Sequence, residues 1–187
     1  MSDLPDRLLL LQAKQGNAAA FGDVVHRYQN AVFTVCYRVM GNRQEAEDLS
    51  QQTFIRAYQR LHTFDSERPF LPWIRRVAAN VCFNSMERRR LESVEVERVA
   101  ESLAAPHDSD PSQRVAAQET SDRLHAAVLA LPPAYRAVIE LRHFQELPYD
   151  EIGTLLNLPL NTVKSHLLRA RKKLAEALRD ERPDALG

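Results

Sequence analysis

The chain has 187 residues with 25 basic and 25 acidic side chains, so its formal net charge is zero. A hydrophobic fraction of 44% is sufficient for packed cores, whereas 5 glycines and 7% aromatic residues do not favour a β sandwich or barrel. Two cysteines, Cys36 and Cys82, are too few for a disulfide scaffold or a zinc site and predict reduced core thiols. No stretch approaches the ~20 apolar residues of a membrane span. The four-leucine run near the N-terminus has acids ahead of it and no small-residue cleavage site, which is not typical of a secretory signal, so we expect a cytoplasmic protein without membrane insertion.

The neutral total hides an uneven distribution of charge. Residues 1–90 hold 13 basic and 9 acidic side chains, a net charge of +4. Residues 91–111 hold 1 and 6, a net charge of −5, and residues 112–187 hold 11 and 10, a net charge of +1. A basic N-terminal part and an acidic connector therefore keep nucleic-acid binding open as a function.

Apolar residues recur at intervals of three and four and predict three helices, over residues 6–14, 18–40 and 44–61. Gly16 and Gly41 follow the first two of these helices and act as stop signals. The polar outer face of the third helix carries Asp48, Gln51, Gln52 and Arg56. Such a face is typical of solvent contact, but an amide-rich surface also suits docking to another protein, so both interpretations stay open.

The loop over residues 62–72 and the helix that follows it combine aromatic, amide and basic side chains. The fourth helix is predicted to begin at Pro72 or Trp73 and to continue to Arg90. The side chains of interest are Phe64, Phe70, Trp73, Arg76, Asn80, Arg88 and Arg89. Aromatic rings stack on unpaired bases, Arg pairs with phosphate and Asn bonds to a base edge, which favours single-stranded nucleic acid. The alternative is that the rings belong to the core and the arginines are solvated.

Residues 92–113 differ from the rest of the chain because they are acidic and include two prolines among turn-forming residues. We interpret this segment as a flexible linker. Helical periodicity resumes over residues 112–131 and 134–144. The predicted fold is therefore all-α, with one small helical domain over residues 1–91, the acidic linker over 92–113, and a second helical domain over 114–187.

The stretch over residues 147–174 has the layout of a helix-turn-helix. Asn157–Leu158–Pro159 interrupts the helical pattern, and Pro159 suits the first turn of the second helix. From Lys164 to Lys173 the second helix carries five basic residues and no acidic one. It can therefore offer hydroxyl, amide and cationic groups to a major groove. The alternative is an ordinary amphipathic hairpin whose basic face is solvated.

Three segments together make the chain similar to the extracytoplasmic-function (ECF) group of bacterial RNA polymerase sigma factors, within the sigma-70 family. The segments are AEDLSQQTFIRAYQRL (46–61), FDSERPFLPWIRRVAANVCFNSMERRR (64–90) and LPPAYRAVIELRHFQELPYDEIGTLLNLPLNTVKSHLLRARKKL (131–174). The resemblance covers nearly the whole chain. It implies a promoter-specificity subunit with two helical domains, a C-terminal helix-turn-helix, and no catalytic residues, cofactor or metal of its own.

The resemblance also implies a role for each matching surface. Docking on the clamp helices of the polymerase largest subunit is implied for Asp48, Gln51, Gln52 and Arg56. Recognition and melting of the minus-ten element are implied for Phe64, Phe70, Trp73, Arg76, Asn80, Arg88 and Arg89. Reading of the minus-thirty-five element is implied for Thr162, Lys164, Ser165, His166, Leu168, Arg169, Arg171 and Lys172. Of this last group, Arg171 and Lys172 are expected to contact phosphate.

The implied partners are the polymerase core, promoter DNA of a stress- or envelope-type regulon, and an anti-sigma factor that covers the polymerase-docking surfaces. Contact with the core includes the clamp helices of the largest subunit and the flap of the second-largest subunit. The chain departs from the family pattern at Gly153, where Ala is usual, and at His166, where Arg is common. Gly in a helix costs roughly 1 kcal/mol relative to Ala. A phosphate contact by His166 is expected to strengthen as the imidazole protonates near its reference pKa of about 6.5.

Two other classes of function share some of these sequence features. TVKSHLLRARKKL also resembles the output helix of a stand-alone regulator of the response-regulator type, but the front half has neither alternating strands and helices nor a phosphoacceptor acid cluster. A small helical enzyme acting on nucleic acid would need clustered carboxylates, a metal constellation or a nucleophile with its base. The sequence offers only the acids at positions 45, 47 and 48, of which Glu45 and Asp48 share a helix face.

Overall fold

The computed structural model describes residues 5–96 and 117–180, with side chains for residues 5–92 and 123–179. Within these ranges the elements are helices and the loops between them, which confirms the all-α prediction. The helices are α1 (Asp6–Lys14), α2 (Ala18–Met40), α3 (Arg43–Arg60), α4 (Phe70–Val96), α5 (Ala117–Leu129), α6 (Pro133–Ile139), α7 (Tyr149–Leu156) and α8 (Leu160–Asp180). A 3-10 turn, Leu61–Thr63, follows α3, and a π-helical stretch, Glu140–Phe144, follows α6.

Local signals set most helix ends close to the predicted positions. Asn17 and Asn42 cap α2 and α3, because their side-chain oxygens accept backbone N–H groups three residues later at 3.1 and 3.0 Å. Gly41 ends α2 with a φ of 74°. Two predictions were wrong in detail. Helix α4 begins earlier, at Phe70, and the single helix predicted over residues 134–144 is α-helical only to residue 139.

The predicted linker is only partly within the described residues. Helix α4 continues through the predicted domain boundary at residue 91 as far as Val96. Residues 97–113 of the predicted linker lie outside the described residues. The first half of the molecule is therefore α1–α4, and the second half is α5–α8.

The core of the first half is formed by apolar stripes that face one another. Helix α2 contributes residues that are at most 1% exposed, Val24, Val32, Val35 and Val39. Small residues on α3 and α4 let the helix backbones approach closely, and these are the fully buried Ala46, Ala57, Ala78 and Ala79. Cys36 and Cys82 are free thiols in this core, as predicted. A hydrogen bond from the Cys82 thiol lowers the pKa of Cys36, while the same bond and burial raise the pKa of Cys82.

The tight turn between α7 and α8 explains the glycine at position 153. Asn157 ends α7 in the left-handed region, with a φ of 54°. The chain then returns so closely that the N–H of Leu158 donates to the carbonyl of Gly153 at 2.8 Å. A Cβ at position 153 would lie 2.9 Å from the carbonyl oxygen of Leu158. The helix-propensity cost of glycine is therefore offset by a turn that alanine would disturb.

The two halves pack against each other, and their buried residues form one continuous hydrophobic cluster. Helix α6 contacts both α2 and α4, and α7 contacts α4. Arg136 of α6, only 6% exposed, donates to the carbonyl of Met40 at the end of α2 at 2.8 Å and to the carbonyl of Leu129 at 3.0 Å. The sequence left the relative position of the halves open. We call the packing of α6 and α7 on α2 and α4 the closed arrangement.

Candidate nucleic-acid interface

The loop after α3 is held by an aromatic cluster. Phe64 and Phe70 are 4% and 2% exposed, and their rings meet edge to face at a centroid distance of 5.3 Å. Trp73 lies 5.0 Å from the first ring and 5.3 Å from the second. Tyr28 of α2 contacts Phe70 from the other side at 5.1 Å. Phe64 and Phe70 are therefore core residues that fix the loop, and their rings are not exposed for stacking on bases in this structure.

Trp73 is only partly buried and lines a cavity of about 180 Å³ between α3, α4 and α7. The structure brings three predicted minus-ten residues together in its wall, Trp73, Arg76 and Asn80. The wall also includes residues that sequence reasoning did not assign to this site, Arg56, Arg60, Asn84 and Leu155. Arg56, Arg60, Asn80 and Asn84 could have been found as i, i+4 pairs on facing helices. We call this space the tryptophan cavity.

Polar groups in the tryptophan cavity keep some hydrogen-bonding capacity. The side-chain oxygen of Asn80 accepts a bond from the Asn84 amide at 3.0 Å. The Nε of Arg76 is buried and has no hydrogen-bond partner among the described residues. Its Nη1 lies 3.8 Å from a carboxylate oxygen of Glu151 on α7. A wall with a partly exposed indole, an amide and an incompletely paired guanidinium can accept a base that needs both stacking and hydrogen bonds.

Arg88 and Arg89 lie on the exposed surface of α4, apart from the tryptophan cavity. Arg89 donates to Glu45 of α3 at 2.6 Å, and Arg88 lies 3.6 Å from Glu92. Exposed ion pairs of this kind contribute about 0–1 kcal/mol, so a phosphate can displace the carboxylates at little cost. Arg88 also lines a groove of about 330 Å³ between α3 and α4, together with Gln52 and Arg56.

The predicted polymerase-docking residues on α3 are all exposed, and they surround apolar side chains. These residues are Asp48, Gln51, Gln52 and Arg56. Ile55 is 60% exposed and Tyr58 is 42% exposed on the same helix. The surface continues across α2 as a shallow groove lined by Val25, Phe33 and Phe54. The sequence analysis singled out only the polar side chains of this face, so its mixed apolar and polar character comes from the structure.

The second helix of the helix-turn-helix, α8, separates a buried face from a cationic one. Val163, Leu167 and Ala170 are at most 1% exposed. The opposite face exposes most of the predicted minus-thirty-five residues, Lys164, Ser165, Leu168, Arg169, Arg171 and Lys172. Thr162 is partly buried at the start of the helix. Arg171 lies 3.4 Å from the hydroxyl of Tyr149, which attaches α8 to α7.

His166 differs from its neighbours on α8 because it turns toward the protein. Its ring lies 5.1 Å from the ring of Tyr135, and its Nδ1 is buried with no hydrogen-bond partner in the part of the chain that the structure describes. Burial, and secondly the nearby Arg169, lower the pKa of His166. The imidazole is therefore harder to protonate than a free histidine. The expected strengthening of a phosphate contact on protonation stays a prediction, and the lowered pKa moves that protonation below the reference value of about 6.5.

Two protein-family models match the chain, Sigma-70 region 2 over residues 24–92 and Sigma-70, region 4 over residues 121–174. The ECF RNA polymerase sigma factor SigW of Bacillus subtilis (strain 168) is 36% identical over 176 residues, which cover 90% of this chain and 94% of SigW. The chain belongs to the ECF sigma factors. This membership favours the sigma-factor interpretation over the stand-alone regulator.

Two solved structures share the fold of this sigma factor. CnrH, solved with the cytosolic domain of CnrY, is 27% identical with a TM-score of 0.54, over 94% of this chain and 98% of CnrH. The sigma factor RpoE of Bartonella quintana, solved with the anti-sigma factor NepR, is 21% identical with a TM-score of 0.58, over 87% of this chain and 98% of RpoE. Among the described residues of this sigma factor, no His, Cys, Asp and Glu side chains form a metal-binding group, and no helix is long and apolar enough to cross a membrane.

In this sigma factor the closed arrangement places the second half over part of the candidate site. Leu155 of α7 lines the tryptophan cavity and Glu151 faces Arg76. Further contacts join α2 to the stretch after α6. The guanidinium of Arg38 lies 4.2 Å from the ring of Phe144 and 3.6 Å from the carboxylate of Glu140, which is 2% exposed. The closed arrangement therefore places α7 against one wall of the tryptophan cavity.

Proposed function

We propose that this chain is the promoter-specificity (sigma) subunit of a bacterial RNA polymerase, acting in the cytoplasm on a stress- or envelope-type regulon. One observation carries the proposal. A single chain combines an exposed cationic face on a helix-turn-helix with a polar, tryptophan-lined cavity whose wall comes mostly from α3 and α4. The first suits duplex DNA and the second suits an unpaired base. In this proposal the chain needs no cofactor, and the polymerase core carries out the chemistry.

We propose that α8 reads the minus-thirty-five element in the major groove. Lys164, Ser165 and Arg169 project from the exposed face near the N-terminal part of the helix, where recognition helices contact base edges. Leu168 is 69% exposed and can meet a thymine methyl group. Arg171 and Lys172 lie one turn later and can neutralise phosphates. His166 has a supporting role, because its ring packs on Tyr135.

We propose that the tryptophan cavity binds a base of the melted minus-ten element. Trp73 supplies a stacking surface, and Asn80 and Arg76 supply hydrogen bonds and positive charge. Removing a base from the stack costs a few kcal/mol, which these contacts must offset. Arg88 and Arg89 would follow the phosphates of the same strand. Phe64 and Phe70 support Trp73 rather than contact DNA.

We propose that the exposed face of α3 docks on the clamp helices of the largest polymerase subunit and that the second half contacts the flap of the second-largest subunit. Asp48, Gln51, Gln52 and Arg56 surround the exposed Ile55. An apolar centre with a polar rim is the usual anatomy of a protein interface. We also propose an anti-sigma partner for this surface. The related protein CnrH was solved with the cytosolic domain of CnrY, which supports a protein partner.

The test is transcription in vitro by sigma-free core polymerase on a library of genomic fragments, with and without this chain. We expect new start sites that depend on the chain. Replacing Asn80 or Arg169 with Ala should abolish most of these transcripts, because one variant loses a base contact and the other a groove contact. Arg179→Ala, an exposed arginine near the end of α8, is the matched control and should transcribe normally.

The outcomes separate the parts of the proposal. If the core neither binds the chain nor gains a start site, the sigma-factor function is wrong. If start sites arise but Asn80→Ala and Arg169→Ala transcribe as well as Arg179→Ala does, the function stands and the two DNA-binding sites are wrong.

A further inference from the structure

A carbonyl oxygen in the loop after α3 is bound by the N-terminal helix. The Nζ of Lys14 on α1 donates a hydrogen bond to the backbone oxygen of Phe64, 50 residues later in the chain. The same ammonium lies 5.9 Å from the centroid of the Phe64 ring, close enough for attraction by the ring face. Lys14 is partly buried, so these contacts replace hydration that the ammonium loses on folding.

Helix α1 packs firmly on the rest of the first half, so Lys14 holds the loop from a rigid helix. The apolar side of α1 is at most 3% exposed, at Leu9, Leu10 and Ala13. Asp6 accepts hydrogen bonds from Arg27 and Tyr28 of α2. The ring of Tyr28 then contacts Phe70, the first residue of α4. A connected set of contacts therefore runs from α1 to both ends of the loop.

The loop connects Lys14 to the tryptophan cavity, because Phe64 contacts Trp73. The ring of Phe64 lies 5.0 Å from the ring of Trp73. After Phe64 the backbone forms a turn in which the Asp65 side chain accepts the N–H of Glu67 at 3.0 Å. The position of the Phe64 carbonyl therefore sets the direction of the turn and the support beneath Trp73.

We propose that Lys14 is a positioning residue for strand capture. Its bond to the Phe64 carbonyl keeps the loop and Trp73 in the orientation that admits an unpaired base of the minus-ten strand. Lys14 itself does not touch DNA. This role rests on the proposed function of the tryptophan cavity and deepens it, because it assigns a part in strand opening to α1, a helix outside the matched region 2 segment over residues 24–92.

The side chain can be changed in ways that separate its bond from its bulk. Lys14→Met keeps a long unbranched chain but cannot donate, and Lys14→Arg keeps the charge and the donor. Arg7→Gln is the matched control on the same helix, because Arg7 contacts the same loop through an exposed ion pair with Glu67 at 2.5 Å, with 61% and 66% of the two side chains exposed. Such a pair contributes little.

The experiment uses the holoenzyme formed from core polymerase and each full-length variant. The promoter is one whose start site was found by in vitro transcription. Two affinities are measured on it, one for the single-stranded minus-ten non-template segment and one for the minus-thirty-five duplex. A 2-aminopurine base in the minus-ten strand reports unstacking in the full promoter. We expect Lys14→Met to weaken single-strand binding about 10-fold, the effect of one charge-assisted hydrogen bond, and to slow the 2-aminopurine signal.

The duplex affinity should stay within about 2-fold for every variant, and Lys14→Arg and Arg7→Gln should bind the single strand within about 2-fold of the unchanged chain. Equal single-strand binding by Lys14→Met and the unchanged chain would overturn the proposal. A parallel loss of single-strand and duplex binding would also overturn it, since that pattern indicates general destabilisation. If the holoenzyme with the unchanged chain does not bind the minus-ten strand, the proposed function of the tryptophan cavity is wrong, irrespective of the role of Lys14.

Discussion

Arg136 and Gly41 adjoin each other across the closed arrangement, since the guanidinium of Arg136 occupies the space where a side chain at position 41 would begin. The same guanidinium bonds to the carbonyl of Met40 at 2.8 Å. Gly41 also has a φ of 74°, which disfavours other residues. The glycine therefore ends α2 and admits an arginine from the other half of the molecule.

Gly41→Ala should destabilise the protein by about 3 kcal/mol, because backbone strain adds to the loss of a buried hydrogen bond. Gly16→Ala is the matched control. Gly16 has a φ of 92°, but a Cβ there would meet no atom of residues 5–96 or 117–180 within 4 Å, so this variant carries the strain alone. Free energies of unfolding from denaturant titration give the comparison. Equal losses in the two variants would contradict the role of Arg136.

Glu151→Lys should loosen the closed arrangement, because repulsion replaces the attraction to Arg76 across 3.8 Å. Trp73 is the single tryptophan of the chain and lines the cavity that α7 covers. Its fluorescence should therefore become more accessible to quenching by acrylamide. Asp150→Lys makes the same change of charge at the neighbouring residue and should quench like the unchanged protein. A similar rise in both variants would attribute the effect to net charge rather than to this contact.

Glu140 should make stability depend on pH in the mildly acidic range. Burial raises the pKa of Glu140, and the nearby Arg38, Gln145 and Arg75 offset only part of that effect. The folded protein binds this proton more tightly than the unfolded chain does. The stability contributed by protonated Glu140 is therefore fully present below the ordinary carboxyl pKa of about 4.5, and it is lost as pH rises through the raised pKa of Glu140 in the folded protein. Glu140→Gln should remove this dependence. Unfolding free energies between pH 4 and pH 8 measure it, and an unchanged slope would contradict the assignment.

Arg169→Ala and His166→Ala should affect DNA binding in different ways. If Arg169 contacts the minus-thirty-five duplex, its loss should reduce the binding free energy by about 1–3 kcal/mol. If that contact is to a phosphate, the salt slope, which is the slope of log affinity against log salt concentration, should also become shallower by about 1. His166 packs on Tyr135, so His166→Ala should lower stability and leave the salt slope unchanged. Affinity for a minus-thirty-five duplex at several salt concentrations tests both. A reduced salt slope for His166→Ala would show that the imidazole carries charge to the DNA.

The helices and the turn of the helix-turn-helix could be predicted because their signals are local. Asn17, Gly41 and Asn157 act through their own backbone or through a bond to a residue three positions away. The cationic face of α8 follows from helical periodicity in the same way. These features need no knowledge of the rest of the chain.

The aromatic loop and the closed arrangement could not be predicted, because both depend on distant residues. Phe70 is buried partly by Tyr28, which precedes it by 42 positions, and Arg136 bonds to a carbonyl 96 positions earlier. From the sequence alone, an aromatic residue in a polar loop is equally compatible with stacking on bases and with filling a core. Which of the two roles an aromatic residue has depends on the residues that the fold brings next to it.

The continuous apolar cluster shared by the two halves has a thermal consequence. Separation of the halves exposes apolar surface to water and so increases the heat capacity of the protein. Hydrophobic burial also weakens on cooling. The closed arrangement should therefore lose part of its advantage in the cold, and separation should absorb less heat as the temperature falls. The surface around Trp73 should therefore become more accessible to solvent as the temperature falls.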